Sequence, residues 1–164
     1  MSMHKSLVDI VHVFRNDEEL LRLLHYKPED IAKNIPDPLD PTLPNILDID
    51  EDWSIRDKVL YLVPKSSDLE KEPICRIYLY AGRRERTSNN YMFANQEIIV
   101  DIVSHMNFEK DLRSTRVSDR VNELLVNENI TGVGKVLYEM GVPIGVPVDY
   151  VGFRHHYKIG NSAK

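Results

Sequence analysis

Along this chain the spacing of hydrophobic positions changes near Lys58, and the change divides helical from extended sequence. In "SLVDIVHVF", Leu7, Ile10, Val11 and Phe14 recur at i, i+3, i+4 and i+7, the stripe of an amphipathic helix. "NDEELLRLLHY" reads as a second helix start. Asn16 is a candidate cap, Asp17, Glu18 and Glu19 suit the positive end of the helix dipole, and Leu20, Leu21, Leu23 and Leu24 form a buried face. One continuous helix through both segments is the alternative.

After Lys58 the period is two. "KVLYLVP", "PICRIYLYA" and "QEIIVDIVSH" are short runs rich in Val, Ile and Tyr, as strands are. Cys75, Ile77 and Leu79 fall on one face of the second run and Arg76, Tyr78 and Tyr80 on the other; Ile98, Val100 and Ile102 oppose Ile99, Asp101 and Val103 in the third. "GRRERTSNNYMFAN" between them is too long for a tight turn and predicts an extended hairpin loop. A helix is expected from about Ser114 to Val126, with Ser114 or Thr115 as cap, Val117, Val121, Leu124 and Leu125 inward, and Arg116, Asp119, Arg120 and Glu123 outward. "KVLYEMGV" and "VDYVGFRHHYKI" then predict two closing strands. The expected fold is α+β: a largely antiparallel sheet of about four to five strands, helices packed on one side, and a long β-hairpin.

Residues 34–53, "NIPDPLDPTLPNILDIDEDW", interrupt both patterns. Pro36, Pro38, Pro41 and Pro44 argue against a helix and for an ordered connection or arm. The carboxylates of Asp37, Asp40, Asp48, Asp50, Glu51 and Asp52 invite calcium, but the EF-hand's central Gly and closing Glu are absent, so a solvated acidic connection is expected. With 164 residues and 42% hydrophobic content, the chain suits one domain with its own core. Its parts are N-terminal helices over 1–33, the Pro/Asp-rich connection over 34–57, and a sheet-plus-helix core over 58–160. The lone Cys75 reads as a buried hydrophobe in a reducing compartment. A formal charge of −5 argues against a general nucleic-acid binder. No apolar run reaches the roughly 18–20 residues needed to span a bilayer, and the N-terminus lacks signal-peptide features.

Candidate chemistry is sparse. "NENITGVGKV" ends like a phosphate loop, yet G-x-x-x-x-G-K-[ST] requires Gly at 129 and a hydroxyl at 136, where Asn129 and Val136 stand. It also leaves a helix and enters a strand, the reverse of the required context. A turn is the better reading, with Asn127 or Asn129 near the helix end and Gly132 supplying a positive φ. His155 and His156 alternate across a strand and cannot chelate one metal together. No catalytic residue, metal site or cofactor is expected, and the chain does not read as an enzyme. "RRER" at 83–86, with Tyr91 and Phe93 behind it, concentrates cations and aromatics at the hairpin tip. Such a set suits either a protein contact or single-stranded nucleic acid; Glu85 and the acidic chain favour protein.

The order strand, polar hairpin "YAGRRERTSNNYMFANQEIIVDIVSH", helix "STRVSDRVNELLVN", turn "ITGVGK", and closing strands "KVLYEM" and "YVGFRHHYKI" spans about residues 58–160. In this the chain resembles the small neck proteins of long-tailed bacteriophages and phage-tail-like particles, above all the tail terminators. The resemblance implies an α+β subunit of a homo-oligomeric ring, typically a hexamer, that caps the tail tube, stops its polymerisation and docks the head. The implied partners are the tail tube protein, a head connector or head-completion protein and, in a contractile tail, the sheath protein. DNA would be passing cargo only, and the location would be the virion neck, assembled in the host cytoplasm. Arg83, Arg84, Arg86, Tyr91 and Phe93 would then make ring contacts. A head-completion or head–tail connector role is the nearest alternative, and a nucleic-acid module acting through the 83–93 loop a more distant one.

Overall fold

The computed structural model describes residues 3–87, 90–131 and 134–159. Five strands form one sheet in the order β1-β2-β3-β5-β4: β1 Leu60–Tyr61, β2 Cys75–Thr87, β3 Asn90–His105, β4 Val136–Pro143 and β5 Tyr150–Ile159. All neighbours are antiparallel except the short β1, which runs parallel to β2. The expected α+β class and antiparallel character hold, with β1 making the sheet mixed.

One face of this sheet carries the main core. Cys75, Ile77, Leu79, Ile98, Val100, Ile102, Tyr157 and Ile159 pack there against the helices α1 (Met3–Arg15), α2 (Glu18–His25) and α5 (Arg113–Leu125). The strand alternation read from the sequence therefore points as expected. The first two helices are separate. Asp17, not Asn16, caps α2, accepting from the Leu20 amide at 2.9 Å, while Asn16 donates to the His12 carbonyl and finishes α1. Leu112, in the left-handed region at φ 58°, precedes α5, so the helix begins one residue before Ser114; the Glu109 carboxylate then accepts from the Ser114 amide and hydroxyl.

The connection over 34–57 departs most from expectation. It contains two short helices, α3 (Ile46–Ile49) and α4 (Ser54–Val59), so only Leu60 and Tyr61 of "KVLYLVP" reach the sheet. Side-chain acceptors at the helix starts explain this. Asn45 accepts from the Leu47 amide, and the fully buried Asp50 accepts from the Ile55 and Arg56 amides at 2.8 and 3.0 Å. Ile46 enters the main core. Nor are all the carboxylates solvated: Asp50 pairs with Arg56 Nε at 2.8 Å, and Asp37 with Arg116 at 3.1 Å.

Arg116 and Arg120, expected on the outer face of α5, and the neighbouring Arg113 all reach back to the N-terminal segments. Arg113, fully buried, donates to the Leu23 and Tyr26 carbonyls at the end of α2 and pairs with Asp111. Arg120 pairs with Asp17 and Glu19. Three arginines along one helix thus hold residues 17–37 in place.

The opposite face of the sheet bears a smaller cluster, Leu69, Ile74, Tyr78, Val103 and Tyr150, with Val146 packed against it. No described α-helix contributes to this cluster; the connections around 64–74 and 144–147 do. Gly152 in β5 permits that approach, because a Cβ there would lie 2.4 Å from Val146 Cγ1.

Candidate functional site

The predicted hairpin loop is instead a ribbon of two long strands. Arg84, Glu85 and Arg86 pair with Gln96, Asn95 and Ala94, and β5 ends at Ile159 opposite Gln96. Beyond Gln96, therefore, β2 and β3 continue together past the described end of β5. The ladder satisfies backbone groups that an irregular loop would leave to water, while the polar run "RRERTSNN" has no alternation of apolar and polar residues to mark it as strand in the sequence. Arg83 and Arg84 are exposed at the base of the ribbon, and Arg83 meets Glu85 at 2.6 Å. The side chains of Arg86, Tyr91 and Phe93 lie outside the described residues, although their backbones belong to the ribbon.

At the same end of the sheet, where Val136 of β4 shares a row with Ile159, Gln96 and Arg84, the turn after α5 brings Asn127 to the helix end as expected. Asn127 takes φ 63°, and its amide donates to the Val136 carbonyl at 2.8 Å. Gly134 has φ 129° and donates to Asn129 Oδ1 at 3.4 Å. Gly132, the position expected to need positive φ, lies outside the described residues. The glycine-rich stretch follows α5 and leads into β4 and does not open a helix.

Sequence reasoning missed two side-chain networks, because both join residues remote along the chain. The first links Tyr138, His155 and Ser118 across β4, β5 and α5. His155 Nε2 lies 2.9 Å from Ser118 Oγ, and its Nδ1 lies 3.1 Å from the Tyr138 hydroxyl. Ser118 donates its single hydroxyl proton to the Ser114 carbonyl at 2.8 Å. It therefore accepts from Nε2–H, and Nδ1 accepts from Tyr138. Burial holds the His155 imidazole below its usual pKa and so keeps it neutral. This polarity is opposite to that of a serine activated by a histidine base. The second network lies on the other face. Asp101, nearly fully buried, accepts from Tyr80 at 2.6 Å and from Arg154 at 2.9 and 3.1 Å, and His156 meets Glu97 at 2.7 Å. The two adjacent histidines thus serve opposite faces.

A cleft of about 530 Å³ opens between the end of α2 and the start of β2, lined among others by His25, Lys58, Glu72, Cys75, Phe108 and Lys110. Lys58 and Glu72 pair at 2.9 Å beside it. Burial pushes the Cys75 thiol up to about 12, so it stays protonated and is no nucleophile at neutral pH. Among the described residues, no group of three or more His, Cys, Asp or Glu is arranged to hold a metal ion, and no helix is long and apolar enough to cross a membrane.

These features define an α+β protein in which a two-stranded ribbon runs past the described end of β5. The chain belongs to the YomW family, whose sequence profile matches residues 17–159. It is 33% identical over 169 aligned positions to the SPbeta prophage-derived uncharacterized protein YomW of Bacillus subtilis (strain 168), a match covering 98% of this chain and 99% of that protein. The similarity supports a phage origin.

Proposed function

We propose that this protein is a structural subunit of a phage virion neck, forming a ring that caps the tail tube, stops its polymerisation and presents a docking surface to the head. The observation that carries the reading is the ribbon beyond Gln96. It is a long two-stranded element with exposed arginines at its base, contributed by an acidic chain that shares ancestry with a prophage-encoded protein. Such an arm lets each subunit grip its neighbour through a heterologous contact, the kind that closes into rings. An acidic ring also suits a channel through which DNA must slide, because few cations are available to release phosphate counterions and hold it. The inward donor assignment at Ser118 and the protonated Cys75 favour a scaffold over an enzyme.

The ring is a hexamer in this reading. It contacts the tail tube protein on one side and the head connector or head-completion protein on the other, with sheath protein alongside if the tail contracts. Electron microscopy of particles made without this protein tests the role. Overlong, headless tails are expected. Normal tails beside heads that leak DNA assign it to the connector instead, and intact infectious particles refute both.

A further inference from the structure

The sheet has two open edges, and they lie at the same height. On one side β1 pairs with β2 only at Ile77 and Tyr78, leaving the outer edge of β2 from Leu79 onward without a described strand partner. On the other side β4 is the edge strand. Among the described residues its outer side is occupied only at Val136, which exchanges backbone hydrogen bonds with Asn127 and Glu128.

Register runs straight across between these edges. Tyr80 pairs with Ile99, Ile99 with His156, and His156 with Met140; one step on, Ala81, Ile98, Tyr157 and Tyr138 form the next row. Three antiparallel steps separate β2 from β4, so the two edge strands run in opposite directions. Two copies placed side by side in the same orientation therefore bring β4 of one against β2 of the next as an antiparallel pair, the more stable arrangement.

The edges also match in shape and chemistry. β4 has Glu139 unpaired between Tyr138 and Met140, and β2 has its own register shift between Ala81 and Arg84, so both bulges fall at about the same row. Bulges increase local twist and discourage pairing with an arbitrary straight strand, which leaves a similarly twisted edge as the fitting partner. Leu137 and Met140 stand opposite Lys158 and His156, on the face away from the main core, and are 45% and 48% exposed. Tyr80 on the β2 edge belongs to that same face. Charges are complementary: Glu128, Lys135 and Glu139 sum to −1 at the β4 side, whereas Arg83, Arg84 and Glu85 sum to +1 at the β2 side.

We infer that the partner of the β4 edge is the β2 edge of a second copy of this chain, so that copies join head to tail into one continuous antiparallel sheet. The inference rests on the ring reading only for closure of the assembly; the pairing itself follows from register, strand direction and the matched bulges.

Cysteine cross-linking under mild oxidation tests it. Arg83→Cys and Glu139→Cys place thiols at the two bulges, both exposed, and native Cys75 is too buried to compete. The double variant is expected to give a ladder of dimer, trimer and higher species, with neither single variant cross-linking. No ladder from the double variant overturns the pairing. A dimer from E139C alone also overturns it, because that requires β4 to pair with its own copy. A complementary mixture guards against misfolding. L137K/M140K makes the β4 edge repel the cationic β2 edge and R83E/R84E makes the β2 edge repel the anionic β4 edge, so each variant alone stays monomeric by light scattering, while an equimolar mixture, in which every facing pair of edges between unlike copies is opposite in charge, assembles again. If both blocked variants assemble like the unmodified protein, the edge assignment fails while a ring by another surface survives. The tail phenotype of particles lacking the protein is independent of either result.

Discussion

Asp50→Ala is the most direct probe of whether the Pro/Asp-rich connection belongs to the folded unit. The Asp50 carboxylate is fully buried and accepts from the Ile55 amide at 2.8 Å, the Arg56 amide at 3.0 Å and Arg56 Nε at 2.8 Å. Removing it strips two amides at the start of α4 and leaves a buried guanidinium without its counter-charge. Breaking one partner of a buried pair costs about 3–5 kcal/mol. Two contacts soften the loss here: Arg56 keeps its bond to the Asp50 carbonyl at 2.8 Å and its stack 3.6 Å from the Trp53 ring centroid. The lower end, about 3 kcal/mol, is therefore expected. At roughly 2–4 °C per kcal/mol for a domain of this size, the melting temperature should fall by about 6–12 °C. Urea unfolding followed by circular dichroism should show a lower midpoint with an unchanged slope. Asp50→Ala/Arg56→Met should recover part of the loss, because removing both partners leaves no orphaned charge. A single variant within about 0.5 kcal/mol of the parent, the ordinary range for surface substitutions, would falsify the reading of 34–53 as an integral element.

Replacing residues 83–95 by a two-residue Asn-Gly turn between Gly82 and Gln96 should leave the melting temperature within a few degrees, since no described core residue comes from that stretch, while abolishing self-assembly by light scattering. Collapse of the fold would show that the ribbon is part of the core. Gly152→Ala should cost about 1–3 kcal/mol by overpacking Val146 and Ile144, and Val146→Ala in the same chain should restore much of it; simple additivity in chemical denaturation would refute the contact. Hydrogen bonds from the Arg76 guanidinium depress the Asp68 carboxyl from 3.8 to about 2. A depressed folded pKa stabilises the protein above the unfolded value, and that stability is lost as pH falls through the folded one. Asp68→Asn should therefore flatten the acid limb of stability between about pH 4 and 2, and an unchanged limb in a pH-dependent melt would contradict the pair.

What the sequence discloses follows where burial lies. Cys75, Ile77 and Leu79, or Val117 and Val121, show their period because one side of the element is packed and the other is not. In the ribbon, Arg84, Glu85 and Arg86 form strand by pairing with residues about ten positions away, and no alternation in "RRER" marks them locally. Helices α3 and α4 sit among prolines and depend on acceptors such as Asp50, whose role is visible only once the chain has turned back on its own amides. The two residues of β1 pair parallel to β2, a long-range choice that two residues cannot announce. Ser118, His155 and Tyr138 meet from three elements, so no spacing rule finds them. The helix end near Asn127 was legible because asparagine after a helical stripe carries its own conformational preference; the positive φ that Asn127 takes was expected of Gly132 instead.

The arginines of α5 set an order of events during synthesis. Residues 17–37 leave the ribosome early, yet the groups that hold them, Arg113, Arg116 and Arg120, are made about 80–100 residues later. Until α5 emerges, α2 exposes its leucines and lacks partners for the carbonyls of Leu23 and Tyr26 and for the charge of Asp17. The N-terminal third must therefore wait, and a nascent chain stalled before Arg113 should be open to protease across that region and closed once the helix is out.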